Sequence, residues 1–197
     1  MNRTISEPAW AASAKLIGVD IACLKAVAAV ESAGSGFLQP PSDKPKVLFE
    51  GHIFHQHTSG RFDAIAPDLS YPHWDKSKYT GSLEGEWKRL NAAMALDHDA
   101  ALMSASWGAF QLMGFNFAAC GFLTVLDFMK AQEAGAEEQL AAFVQFIDRA
   151  PYRNALRMRD WAGFATVYNG PGYAKNHYDT RLSAAYLQHG GQAGTSK

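Results

Sequence analysis

The sequence predicts a mainly α protein of the α+β kind, with a small loop-rich or β lobe set among its helices. Three observations carry this expectation. Apolar residues recur at helical spacing behind recognisable caps near both ends of the chain. Between about residues 35 and 80 that spacing stops, and prolines at 40, 41, 45, 67 and 72, four histidines and many aromatics take its place. No internal repeat and no long linker interrupts the chain, so residues 1–190 read as one domain and 191–197 as a disordered tail.

Taken in order, Ser6 caps a first helix that opens with Glu7 and Pro8 and runs to about Ile17, where Gly18 stops it. Asp20 is expected to cap the next. In that helix Ile21, Leu24, Ala28 and Glu31 fall on one face of a 3.6-residue period, which places a glutamate on the apolar side. Within the loop-rich stretch, Lys46 to Glu50 is the best strand candidate. Helical patterning returns at Ser82 with Trp87, Leu90 and Met94, and again before Trp107. Gly135 to Arg149 gives a strongly amphipathic helix through Leu140, Phe143, Val144 and Ile147. Asp160 caps a helix carrying Trp161, Phe164 and Tyr168, and a last one after Pro171 includes Tyr178, Leu182 and Tyr186.

A chain of 197 residues is long enough to bury a core without staples. Cys23 and Cys120 lie in apolar runs without metal or redox spacing and read as buried thiols. The net charge of −1, with Lys and Arg scattered, gives no electrostatic case for nucleic acid. The first twenty residues lack the pattern of a secretory signal, and no apolar run approaches a membrane span, so a cytoplasmic monomer without stable membrane insertion is expected. No cofactor is implied. His52, His55 and His57, with Asp63 near, invite a metal reading. Their spacing cannot bring all three to one side of a helix or strand, so no metal site is expected. His98, between Asp97 and Asp99, reads as a solvated surface run.

The chemistry starts from Glu31. A carboxyl in apolar surroundings keeps its proton to higher pH, as a general acid for glycoside cleavage must. On the helix alone, a glutamate at a C-terminus that simply points to solvent accounts for it equally well.

Three segments taken together shift that balance. Glu31-Ser32 followed by small residues resembles the Glu-Ser-Gly-Gly start of goose-type lysozymes and soluble lytic transglycosylases. Gly108-Ala109-Phe110-Gln111-Leu112-Met113 is similar to their Gly-Leu-Met-Gln-Leu-Met segment, and Tyr168-Asn169-Gly170-Pro171-Gly172 to their Tyr-Asn-Ala-Gly-Pro-Gly segment. Val47 to Phe54 and Ser106 to Asn116 more closely resemble the N-acetylmuramidase family of phage endolysins, over about residues 10 to 188. That resemblance implies a lysozyme-like fold with a cleft between the two lobes. It also implies hydrolysis of the β-1,4 bond between N-acetylmuramic acid and N-acetylglucosamine in peptidoglycan, with the wall reached after a separate membrane-permeabilising event. The eighty-residue interval between Glu31 and Gln111 exceeds that of transglycosylases, so the lobe over the cleft is enlarged.

The second carboxylate stays open at this point. Glu50 follows Glu31 by nineteen residues, a spacing similar to that of the two glutamates of family 19 chitinases. Asp63, Asp68 and Asp75 are rivals, and an ion pair of Glu50 with Arg61 or His52 is the purely structural alternative. Ser106 and Gln111 are candidates for hydrogen bonds to substrate, Tyr168 and Asn169 for the opposite wall. Trp107 is the candidate for stacking on a sugar ring, ahead of Trp74, Tyr71 and Tyr79. Competing functions are a lytic transglycosylase, a chitinase-like enzyme and a non-catalytic wall-binding module.

Overall fold

The computed structural model describes residues 2–192; of the expected tail over 191–197, everything from 193 onward lies outside the described residues. Ten α-helices among the described residues surround a three-stranded sheet. α1 (Glu7–Ile17) begins where the Ser6 hydroxyl accepts from the Ala9 N–H and ends at Gly18 in the left-handed region, where a glycine has no side-chain penalty. α2 (Ile21–Ser32) buries nearly its whole circumference, including Leu24, Val27 and Val30, and ends on Ala33 at φ 56°. Asp20 does not cap it. The Asp20 carboxylate instead accepts from the Tyr186 hydroxyl at 2.7 Å, a long-range partner no local pattern announces.

The loop-rich region holds β1 (Val47–Phe49), within the expected strand, and a helix that sequence periodicity did not suggest, α3 (Gly51–Thr58). α3 buries only Gly51, Phe54 and Thr58, which is too sparse an apolar face to read in advance. α4 (Leu83–Met94) is capped by Ser82, and α5 (His98–Met103) by Asp97. Asp97 therefore is no idle surface charge: it accepts from the Ala100 N–H and pairs with Arg61 at 2.6 Å, leaving His98 beside Asp99. β2 (Ala105–Trp107) and β3 (Leu112–Met113) follow, and the sheet order β1-β2-β3 is antiparallel throughout.

α6 (Val125–Ala134), capped by Thr124, and α8 (Ala150–Met158) also escaped the sequence reading, while α7 (Ala136–Ile147) and α9 (Trp161–Asn169, capped by Asp160) match it. After a 3₁₀ segment from Pro171 comes α10 (Tyr178–Gln188). A hydrophobic cluster runs from Trp10 and α2 through Phe49, Phe110 and Phe143 to Phe164 and Tyr186. α2 lies within it and packs most extensively against α10. Cys23 and Cys120 are buried free thiols. No helix among the described residues is long and apolar enough to cross a membrane.

Candidate active site

Glu31 stands in the last turn of α2, where the chain leaves the helix through Ala33 and Gly34. It lines a cleft of about 490 Å³ together with Lys46, Leu48, Tyr79, Leu83, Glu86 and Gln111. One side-chain donor reaches the Glu31 carboxyl: the Asn169 amide, at 2.9 Å to Oε1. Burial raises the Glu31 pKa to about 7, against the smaller lowering effects of the Asn169 hydrogen bond and the Arg181 charge. The Glu31 carboxyl therefore keeps its proton to a higher pH than a free glutamate does.

The opposite side is built from β1. Side chains alternate along a strand, so buried Val47 and Phe49 face the core while Lys46, Leu48 and Glu50 share the other face. Glu50 closes the strand at the cap position of α3, but its carboxylate is not used as a cap. It accepts from the Tyr79 hydroxyl and lies 3.4 Å from His52 Nδ1. Burial raises the Glu50 pKa; the Tyr79 hydrogen bond and the Arg89 charge offset this only in part, and the nearby Glu86 charge adds to it. Burial also lowers the His52 pKa, favouring a neutral ring beside Glu50. Arg61, the other expected partner of Glu50, is engaged with Asp97.

Behind Glu50 lies a network that sequence reasoning missed. Glu86, 3% exposed, accepts from the Thr80 N–H at 2.8 Å and the Thr80 hydroxyl at 2.9 Å, and pairs with Arg89 at 2.7 Å. Arg89 in turn donates to the Phe49 carbonyl at 3.0 Å and stacks over the Phe49 and Tyr79 rings. The pair thus fastens the end of β1 to the segment that carries Tyr79. Its i, i+3 spacing on α4 was the visible signal, although nothing local marks it as buried.

The β2–β3 hairpin supplies Gln111. Register pairs Ser106 with Leu48 and Met113, on the cleft-side face of the sheet, whereas Trp107 pairs with Val47 and Leu112 on the core side. Trp107 is 1% exposed, donates to the Leu102 carbonyl and meets Trp87 edge to face. It cannot stack on a sugar, and the strand alternation is the reason. Ser106 is nearly buried as well; its hydroxyl donates to Gln111 Oε1 at 2.9 Å and orients the amide that lines the cleft. Under this turn, fully buried Gln139 accepts from the Ala109 N–H at 2.8 Å, and a Cβ at Gly108 (φ +71°) would strike the Gln139 amide. Tyr168 likewise differs from expectation: its ring packs among Phe143, Phe146, Tyr152 and Phe164, and its hydroxyl donates to the Phe110 carbonyl at 2.6 Å. It braces the hairpin, while the adjacent Asn169 meets Glu31.

The three aspartates are occupied elsewhere. Asp63 accepts from the Ser70 hydroxyl and faces His55 Nδ1 at 2.8 Å, Asp68 pairs with Lys78 at 2.7 Å, and Asp75 accepts from the Ser77 N–H at 2.9 Å. These contacts hold all three below the usual carboxylate range. None of them lines the Glu31 cleft; Glu50 does not line it either, but it bonds Tyr79, which does. The histidines of α3 diverge, His52 toward Glu50, His55 toward Asp63 and His57 against Phe115. Trp74, 60% exposed and beside Tyr79, is the aromatic left open at the rim.

The site can now be set beside known proteins. The family model of N-acetylmuramidase matches residues 20–190. The chain is also similar to the protein in the crystal structure of the Burkholderia AP3 phage endolysin: 37% identical, TM-score 0.82, covering 95% of this chain and 72% of that one. Comparison with curated proteins returns no match. The matched span takes in Glu31, the β1 face, the Gln111 hairpin and Asn169, and on it the chain belongs to the N-acetylmuramidase family, glycoside hydrolases that act on peptidoglycan.

Proposed function

We propose that this chain, as a single catalytic unit over residues 1–190, is a phage endolysin. It cleaves the β-1,4 bond between N-acetylmuramic acid and N-acetylglucosamine, with Glu31 as general acid and Glu50 as its partner. The observation that carries this is the state of Glu31: it lines the cleft, one amide donates to it, and burial brings its pKa to about 7. Glycoside cleavage needs a carboxyl that protonates the leaving oxygen and a second that activates water or steadies the positive charge on the sugar. Two glutamates in environments that separate their proton affinities meet that need. Burial raises both, but it carries Glu31 to about 7, while at Glu50 the Tyr79 hydroxyl and Arg89 offset part of the rise.

In this mechanism Asn169 fixes the Glu31 carboxyl so that its free oxygen carries the proton toward the glycosidic oxygen. Gln111, oriented by Ser106, offers its amide to a substrate hydroxyl or N-acetyl group. Leu48, Leu83 and the Tyr79 ring give the sugar apolar faces to lie against, and Trp74 extends them. The enzyme acts as a monomer, without cofactor, and reaches the wall from the host cytoplasm once the membrane has been permeabilised.

The test is turbidity loss of outer-membrane-permeabilised cells by wild type beside Glu31→Gln, with mass spectrometry of the digested murein. Lysis by wild type that yields reducing muramic ends, and loss of it in Glu31→Gln, is the expected result. Anhydromuramic ends would make the enzyme a transglycosylase, and sacculus binding without soluble fragments would leave a non-catalytic module.

A further inference from the structure

Lys46 faces the cleft from the start of β1, and its ammonium donates to the Ser32 carbonyl at 2.7 Å. A cation at the C-terminus of α2 is favourable, so part of its presence is explained there. That contact uses one of its three donors. Burial lowers the Lys46 pKa, a sign of hydration already given up. Yet among the described residues no carboxylate lies within ion-pair distance of it. Glu86, the other charged group at the wall, is neutralised by Arg89. Glu31 forms no ion pair with it, and burial favours its neutral form. The wall that Glu31 shares thus holds one ammonium with no ion-pair partner among the described residues.

A neutral glycan would leave that charge as costly as it is in the empty cleft. A muramyl residue would not. Its lactyl ether ends in a carboxylate when no peptide is attached, and in a peptide bearing carboxylates when one is. We propose that Lys46 is a specificity-determining residue that binds a carboxylate of the muramyl side arm, and so selects anionic wall glycan over neutral glycan. This rests on the muramidase reading above.

The experiment measures soluble-fragment release by wild type, Lys46→Met and Lys46→Arg on four substrates. These are murein with its peptides, glycan strands stripped of peptide by an amidase, and each of the two after its carboxylates have been converted to amides with carbodiimide and ammonia. The quantity read is the ratio of kcat/KM on the native substrate to that on its amidated form. Wild type and Lys46→Arg are expected to keep a ratio well above one, and Lys46→Met to lower it about tenfold, the scale of one charge pair in a partly desolvated site. A drop confined to peptide-bearing murein assigns the carboxylate to the peptide, and one confined to stripped strands assigns it to the lactyl group. Equal loss on all four substrates, which loss of the Ser32 contact or of folding would cause, overturns the proposal, as does an unchanged ratio in Lys46→Met. Wild type inert on every substrate instead overturns the muramidase reading itself.

Discussion

Glu31 and Glu50 are the same residue in two settings: Glu31 lines the cleft, Glu50 stands behind its Tyr79 wall, and burial raises the pKa of both. Glu31 ends a helix buried nearly all round and has a single amide for company, so burial governs its proton. Glu50 ends a short strand in the loop-rich lobe, where a tyrosine hydroxyl, a histidine and the Glu86–Arg89 pair converge on it. The difference teaches that carboxyl chemistry here is set by how many donors each lobe can deliver. An α-helix spends its backbone donors on itself and leaves a terminal side chain little to bond. Irregular chain places hydroxyls and guanidinium groups wherever the turns carry them.

The sharpest way to break the comparison is Glu31→Gln, which keeps size and the Asn169 contact but removes the transferable proton. Lysis should fall by about 10²–10⁴-fold with circular dichroism and sacculus binding unchanged. Retention of more than about a tenth of the activity would return Glu31 to the role of a mere helix end.

On the other side, the network predicts a stability effect before a chemical one. Glu86→Ala leaves Arg89 buried and unpaired and should cost about 3–5 kcal/mol in urea unfolding, as uncompensated buried charges do. A cost below about 1 kcal/mol would show that the loop lobe does not depend on the pair.

The contrast also has a pH signature. Folding raises the Glu31 pKa from 4.5 to about 7, so the folded state binds the proton more tightly than the unfolded one. Its contribution to stability is fully present below about 4.5 and is lost as pH rises to about 7. Glu31→Gln should therefore gain about 3 kcal/mol over wild type at pH 8 and nothing at pH 4. Wild-type activity should fade on the alkaline side through about 7, which a pH–rate profile measures.

A smaller effect is expected from Tyr79→Phe. It removes the hydroxyl that favours ionised Glu50, so the acid limb of the rate profile should move to higher pH while the alkaline limb, set by Glu31, stays in place. Movement of both limbs together would mean that the pair titrates as one system. The smallest change should come from Asp75→Asn, whose carboxylate serves an exposed turn; activity is expected to stay within about twofold.

What the sequence made legible follows the same division. Helices that announce themselves by caps, at Ser6, Ser82 and Asp160, lie where those caps put them, and Glu31 is on the predicted helix. Trp107 was misjudged because its strand lasts three residues, too few for alternation to show that the serine looks to the cleft and the tryptophan to the core. Tyr168 and Asn169 share one motif, but the motif does not show that the tyrosine turns into the core to hold the Phe110 carbonyl while the asparagine turns to Glu31. The Glu86–Arg89 network and the hold of Gln139 on the Gly108 turn join residues 6 to 40 positions apart through side chains, and no local pattern encodes such meetings.

The pairing of α2 with α10 has a temporal meaning. The helix that carries Glu31 is complete by residue 32, but its main packing partner spans Tyr178–Gln188, and Asn169, the donor to Glu31, comes almost as late. Arg181 closes on the Val30 carbonyl and Tyr186 on Asp20 only when that last helix has formed. Such contacts between distant parts of a chain form late in folding. On the ribosome, an early-made α2 must wait for residues synthesised some 140 positions later before its acid is locked in place. Glu31 thus gains its Asn169 donor and the α10 packing of its helix only once nearly the whole described chain has been made.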